Sequence, residues 1–383
     1  MDEGQLSRPR LLVTGAGGFC GEHACRYFTS AGWDVTAVVR RMPVDDQAEE
    51  FLGQAAAVEI CDLASASGTM EMVRRAQPDY VLHLAGVNAV ALSWSSPAAV
   101  MESNVMGTVH LLEAIRGLGN RKCCRIVVAG SMLRCKLDEG GQGMAPPHPY
   151  SLSKAMQVLT AQSWASLYGM DVIVAEPSNL IGPGRSNGLC ALIARYAAEL
   201  ERNGSGECRA TNCCGDDAAG RGGDDDAEHS GGDDAERGGV DDAECGGVDD
   251  AECSGGGDVS SVDHSADGGA PPPFRLSSRT EMRDLLDVRD AIRAYELLLL
   301  SGERGMVYPV ASGTMRSLGE LADTFDRLAS CSLQWCVGES QELSPQPLDI
   351  AAVRALGWSP RFSLEQSVLD TLESARRVLK EGM

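Results

Sequence analysis

Tyr150 and Lys154, in Pro149-Tyr150-Ser151-Leu152-Ser153-Lys154, are the pair in this chain best suited to moving a proton. On a helix, a four-residue spacing sets phenol and ammonium on one face, one turn apart. A free phenol ionises near pH ~10, and a fixed cation beside it favours the phenolate. Such a tyrosine can exchange a proton with an alcohol becoming a carbonyl, or the reverse. Chance supplies Tyr-x-x-x-Lys often; here it lies downstream of a glycine loop, Thr14-Gly15-Ala16-Gly17-Gly18-Phe19-Cys20-Gly21. A nucleotide-binding start joined to such a pair points to hydride chemistry.

The glycine loop follows Leu11-Leu12-Val13 and opens an amphipathic stretch, the strand-turn-helix context of a dinucleotide site. Gly15 permits the tight turn, Gly18 lets a pyrophosphate approach the backbone, and Gly21 lets the helix pack on the strand. Phe19 and Cys20 open that helix, whose first amides face the phosphates. The next strand ends Val38-Val39-Arg40-Arg41, with no acidic residue to bind a ribose 2′-hydroxyl. Arg40 suits a 2′-phosphate, so NADP(H) is favoured, with NAD(H) possible. Asp62, ahead of Leu63, is placed to accept from the adenine amine, and Leu84-Ala85-Gly86 lines the pocket after the fourth strand. His83 in that run reads as a buried strand residue.

The elements that must hold these residues alternate along residues 11 to 180, apolar runs with helical stretches. Strands are expected at Arg10–Val13, Asp34–Val39, Ala57–Ile60, Tyr80–Leu84, Arg125–Ala129 and Asp171–Glu176. Helices are expected at Gly18–Ala31, Thr69–Ala76, Pro97–Leu118 and Ser151–Tyr168. The implied fold class is α/β: a Rossmann-like, doubly wound parallel sheet with its ligand at the carboxyl ends of the strands. Residues 8–182 form the NAD(P)-binding domain, and 183–203 with 274–377 a smaller substrate lobe interleaved with it. Between them, 204–273 repeats Gly-Gly-Val-Asp-Asp-Ala-Glu-Cys at 238–245 and 246–253. With almost no large apolar residues, this acidic Gly/Asp-rich insertion is expected to be disordered.

The chain of 383 residues is long enough to bury a large core. Residues 205–269 carry −16 of the formal −22, with 19 Asp plus Glu against three Arg. An acidic chain with no basic stripe excludes nucleic acid as partner. No run approaches the ~18 apolar residues of a membrane span, and the N-terminus lacks a signal-peptide layout. The fourteen cysteines are scattered, and no metal site is expected among them. Reduced thiols in a cytoplasmic protein are the expectation.

In combination, these motifs resemble the extended short-chain dehydrogenase/reductases, the nucleotide-sugar epimerase, dehydratase and reductase group. The resemblance covers 10–204 and 274–377. Asn104-Val-Met-Gly107-Thr108, Asn179-Leu-Ile-Gly182-Pro183-Gly184 and Arg283-Asp284-Leu-Leu-Asp287-Val288-Arg289-Asp290 add to it. Leu92-Ser93-Trp94 and Tyr308-Pro-Val-Ala-Ser312-Gly313 look most like the subgroup that reduces GDP-4-dehydro-6-deoxy-mannose. The resemblance implies that Ser131 is the third catalytic residue, its hydroxyl bound to the sugar oxygen at C4. Tyr150 would pass the proton, and Lys154 would hold the nicotinamide ribose. Pro177 would line the cofactor site; Asn179 and Arg283 would seat the diphosphate of a nucleotide-diphosphate sugar. A homodimer through Pro97–Leu118 and Ser151–Tyr168 is a further family expectation.

Sugar dehydratases of this group carry an acidic residue just after the catalytic Ser or Thr; here stand Met132 and Leu133. Keto reduction is therefore the leading reading. A nucleotide-sugar 4-epimerase with tightly bound NAD is the alternative, and a non-catalytic NADP-binding regulator or scaffold the second. Two departures stand out: Cys135-Lys136 where the family has Tyr-Gly, and Glu176 where it has Arg before Pro.

Overall fold

Leu11, Leu12 and Val13 are at most 1% exposed, as a strand covered on both faces requires. In the computed structural model, which describes residues 8–42, 55–119, 124–135, 146–204, 271–340 and 344–381, they form the middle of β1 (Arg10–Thr14). β2 (Asp34–Val39) and β4 (Tyr80–His83), the latter following β3 (Ala57–Ile60), flank it, both parallel. β5 (Arg125–Ala129) and β6 (Asp171–Pro177) continue the sheet beyond β4. The sheet reverses its order between β1 and β4, which opens a crevice at their carboxyl ends. Residues 205–270 of the acidic insertion lie outside the described residues.

β1 to β6 match the six expected strands to within a residue at each end; the later strands were not expected. Expected helices also appear, the one at Ser151–Tyr168 as Pro149–Leu167, with two larger differences. Helix Ala66–Ala76 begins three residues early, because the Ser65 hydroxyl accepts from the Gly68 amide and caps it. The stretch from Pro97 winds as a π-helix over Glu102–Met106 before helix Gly107–Arg116. Asn104 sits in that wider turn.

The main sheet also draws on residues expected in the substrate lobe. After β7 (Asn179–Ile181), β8 (Phe274–Leu276) and β9 (Met282–Asp287), the chain enters helix Val288–Ser301 and then β10 (Val307–Val310). β10 lies parallel to β6 as the seventh strand, giving the order β3-β2-β1-β4-β5-β6-β10. Ala291, Ala294, Tyr295 and Leu298 of that helix share one core with β1 and helix Phe19–Ser30. A four-residue strand containing Pro309 reads poorly as sheet, yet at an edge the proline costs no ladder bond.

The second lobe packs helices Leu189–Arg202, Leu318–Leu328 and Leu364–Glu381 around their own core. Two small sheets complete it: β7 and β9 with β11 (Met315–Ser317), and β8 with β12 (Trp335–Val337). Buried Asp284 ties the lobe to the main sheet. Its carboxylate accepts from the Ser178 hydroxyl and the Ser312 amide, both at 2.8 Å, and from the Gly313 amide at 2.9 Å.

Candidate active site

Because the strands of the main sheet are parallel, their carboxyl ends share one edge, and that edge collects the residues with chemistry. The glycine loop follows β1 there. Gly15 has φ of +71°, and a Cβ on it would stand 2.7 Å from the Ala85 nitrogen. A Cβ on Gly21 would stand 2.1 Å from the Gly15 oxygen and 2.6 Å from the Ala16 Cα. Packing therefore demands both glycines. It does not demand Gly17 or Gly18. A Cβ at Gly18 meets only the Gly15 oxygen at 3.4 Å, and at Gly17 only a Val39 methyl at 3.6 Å. These two present bare, exposed backbone at the start of helix Phe19–Ser30, a cradle that fits a dinucleotide pyrophosphate.

Around this cradle stand the other cofactor candidates. Arg40 is exposed just after β2. Asp62 is exposed after β3, its carboxylate accepting from the Ala64 amide at 3.0 Å, while Leu63 is buried beneath it. Leu84, Ala85 and Gly86 follow β4, and the Leu84 amide donates to the Thr14 carbonyl. Phe19 meets His23 edge-to-face at 5.4 Å, and Cys20 is half-buried beside it.

Helix Pro149–Leu167 carries Tyr150 and Lys154 on its buried side, at 5% and 6% exposure. His148 starts this helix: its Nδ1 accepts from the Ser151 amide at 2.9 Å and its ring stacks on Tyr150. Burial pushes the His148 pKa down, which keeps that nitrogen able to accept. The Lys154 ammonium donates to the Gln157 side-chain oxygen at 2.9 Å and the Ala129 carbonyl at 3.2 Å. Asn104 accepts from the Val87 amide at 2.7 Å and donates to Ser153, whose hydroxyl donates to the Tyr150 carbonyl. Helix, π-turn and β4 loop are thereby locked together.

Ser131, after β5, is 8% exposed. Its oxygen accepts from the Leu133 amide at 3.1 Å, so what it offers an incoming oxygen is its O–H. The Met132 amide donates to the Pro177 carbonyl, bringing the ends of β5 and β6 together. Asn179 stands next to them, donating to the Asp284 carbonyl at 3.3 Å, with the Met132 sulfur 3.9 Å away. Arg283 is engaged elsewhere: its guanidinium binds buried Glu281 and the Met282 carbonyl.

Sequence reasoning passed over three features. Glu176, 6% exposed, forms an ion pair with Arg134 of the loop after Ser131, so the departure before Pro177 carries its own counter-charge. Nothing local links residues 42 apart. Gln157 was missed although its i+3 spacing to Lys154 puts it on the same helix face. Glu22 and Arg185 pair across the lobes, fastening helix Phe19–Ser30 to the turn after β7.

The family model described as "NAD dependent epimerase/dehydratase family" matches residues 11–218, more than half of the chain. The chain belongs to that family. Its members are NAD(P)-dependent extended short-chain dehydrogenase/reductases that modify nucleotide sugars. The family member GDP-6-deoxy-D-mannose reductase of Pseudomonas aeruginosa is 24% identical over 94% of each chain. The dTDP-glucose 4,6-dehydratase of Shigella flexneri is 29% identical, over 45% of this chain and 55% of its own. Among solved structures, RMD from Pseudomonas aeruginosa complexed with NADPH superposes with a TM-score of 0.66 at 22% identity. That superposition covers 97% of this chain and 99% of RMD. It is a likeness of fold. Among the described residues no helix is long and apolar enough to cross a membrane.

Proposed function

We propose that the protein reduces the 4-keto group of a nucleotide-diphospho 4-keto-6-deoxy sugar with NADPH. The carrying observation is the set Ser131, Tyr150 and Lys154 at the carboxyl ends of one parallel sheet, with apolar Met132 and Leu133 after the serine. A bound nicotinamide would supply the hydride. Gly17 and Gly18 cradle its pyrophosphate, Gly15 and Gly21 make the turn and the packing that hold them, and Arg40 stands where a 2′-phosphate would lie. Ser131 donates its O–H to the keto oxygen, polarising it; Tyr150 delivers the proton to the same oxygen. Lys154 supports the phenolate that remains. Dehydration would need a carboxylate next to Ser131, and Glu176 is tied to Arg134. The relative that shares 94% of its length with this chain, a GDP-6-deoxy-D-mannose reductase, supports GDP as the nucleotide.

Asn179 seats the diphosphate, joined by Arg283 once its guanidinium leaves Glu281. Two copies pair through the helices ending at Arg116 and Leu167, where Met156 and Leu159, with Met106 of the π-turn leading into the first helix, are 41–49% exposed; sedimentation gives the mass. Absorbance at the NADPH band tests the reaction, with GDP-4-dehydro-6-deoxy-mannose as substrate and Tyr150→Phe beside wild type. A rate lower by about 10²–10⁴ in the variant supports the reading. NAD retained through purification, with sugar interconversion needing no added reductant, would make it an epimerase instead.

A further inference from the structure

Behind Lys154 runs a buried chain of side chains that no step of the proposed reduction uses. His83 is 1% exposed, Thr14, Thr108 and Gln157 are fully buried, and the four come from four separate elements. Hydrogen-bond arithmetic fixes the direction of every link. Thr108 has one hydroxyl proton, and the Asn104 carbonyl takes it at 2.7 Å. Thr108 must therefore accept from its other two neighbours, the Gln157 side-chain NH₂ at 2.9 Å and His83 Nε2 at 2.8 Å. Nε2 then carries the imidazole proton, and Nδ1 accepts from the Thr14 hydroxyl at 2.7 Å. The Thr14 oxygen in turn accepts from the Ala85 amide at 3.3 Å. With its NH₂ spent on Thr108, Gln157 has only its carbonyl to turn toward Lys154, and that oxygen receives the ammonium at 2.9 Å.

The order cannot reverse without losing bonds. A flipped Gln157 would set two donors against each other at Lys154 and leave Thr108 short of one donor. A charged His83 would set a second donor against Thr14. Burial, with the Lys154 charge adding to it, pulls His83 down to about 3 and keeps it neutral. The far end of the chain is a backbone amide under the glycine loop, which neither takes nor gives a proton at neutral pH. The chain is a support, not a proton path.

We propose that Gln157, aimed by Thr108 and His83, is a positioning residue that fixes the Lys154 ammonium beside Tyr150 and ties it to the glycine-loop strand. The inference rests on the reading of Tyr150 and Lys154 as the proton-handling pair, not on which sugar is reduced. A substrate-free experiment tests it: ultraviolet difference titration, each protein against its own Tyr150→Phe counterpart, reads the ionisation of Tyr150 alone. An ammonium free to swing away favours the phenolate less. Gln157→Leu and Thr108→Val should each raise the Tyr150 midpoint by about half to one pH unit over wild type. Thr108→Val is the sharper variant, because Thr108 never touches Lys154. If Gln157→Leu does not fold, Gln157→Met removes the same two bonds at closer volume. A folded Gln157 variant titrating like wild type overturns the proposal. So does a shift in Gln157→Leu with none in Thr108→Val, which would leave a local contact and no support behind it. A protein that reduces no keto sugar yet shows both shifts would sink the substrate reading and leave this one standing.

Discussion

Gly18→Ala separates what the glycine loop does for the fold from what it does for a ligand. The residue has φ of −89° and ψ of 168°, a conformation alanine adopts without strain. Its new methyl would contact only the Gly15 oxygen, at 3.4 Å. Restricting the unfolded chain adds about 0.4–1 kcal/mol of stability, while alanine is poorer than glycine at a helix N-cap by a few tenths or more. The two nearly cancel, so the thermal midpoint without cofactor should stay within about 2 °C of wild type. Bound pyrophosphate changes the account, because the methyl then points into the space the phosphate needs. An overpacking cost of about 1–3 kcal/mol lowers NADPH affinity roughly 5- to 150-fold. Gly21→Ala is the contrast: its methyl collides with backbone at 2.1 Å and should lower the midpoint outright. Differential scanning fluorimetry and NADPH fluorescence titration read both quantities. Unchanged NADPH affinity in Gly18→Ala would refute the cradle, since among the described residues the packing leaves room for a methyl at Gly18.

Four further outcomes follow from named contacts. Asp284→Ala strands three donors and should cost about 3–6 kcal/mol, read as a urea midpoint; a loss under 1 kcal/mol would mean that Asp284 does not join the lobes. Glu176→Gln leaves a partly buried Arg134 uncompensated, at about 2–3 kcal/mol, and exchanging both residues as Arg134→Glu with Glu176→Arg should recover most of it. Failure of the exchange to recover anything would show that geometry outweighs charge there. His83, at about 3 in the folded protein against 6.5 unfolded, makes the unfolded chain the better proton binder between those values. Stability should therefore fall below pH 6.5, by about 2 kcal/mol at pH 5, with His23 and His148 adding in the same direction. A His83→Asn protein should lose less over that range, and an equal loss would acquit His83. Arg40→Ser should weaken NADPH far more than NADH; equal weakening would remove the 2′-phosphate from Arg40.

Strands were readable where the chemistry of the chain was redundant. β2 after Asp34 and β5 after Arg125 are Val, Ile and Ala but for Thr36, because both faces of a parallel sheet are covered, and their ends coincide with the expected ones. β10 shows the limit: Val-Tyr-Pro-Val is defined by its neighbour, Glu176 opposite Pro309, and not by its own pattern. The same holds in the site. Gly15, Tyr150 and Lys154 announce themselves through local spacing, because strand-turn-helix and i+4 geometry are local; Ser131 is reached only through the family resemblance. The residues that orient them do not, since Thr14, His83, Thr108 and Gln157 meet only after four elements have packed.

That difference bears on how a departure from family pattern should be weighed. Taken alone, Glu176 before Pro177 puts an acid where the family keeps an arginine, and suggests a damaged site. The structure supplies Arg134 from the Ser131 loop, so the buried charge has a partner of opposite sign and the carboxyl ends of β5 and β6 stay joined. What physics requires at that position is a paired charge, not a particular sign. On the proposed reading, loss of chemistry would instead touch the groups that no partner can replace: the Ser131 hydroxyl, the Tyr150 phenol and the Lys154 ammonium. All three are present, nearly buried, and in the case of Lys154 and Tyr150 braced from behind by Gln157, Ala129 and Ser153. A polar support of that extent costs desolvation at every member. A binding module that moved no proton would gain nothing from it, which weighs against a regulator or scaffold and for turnover.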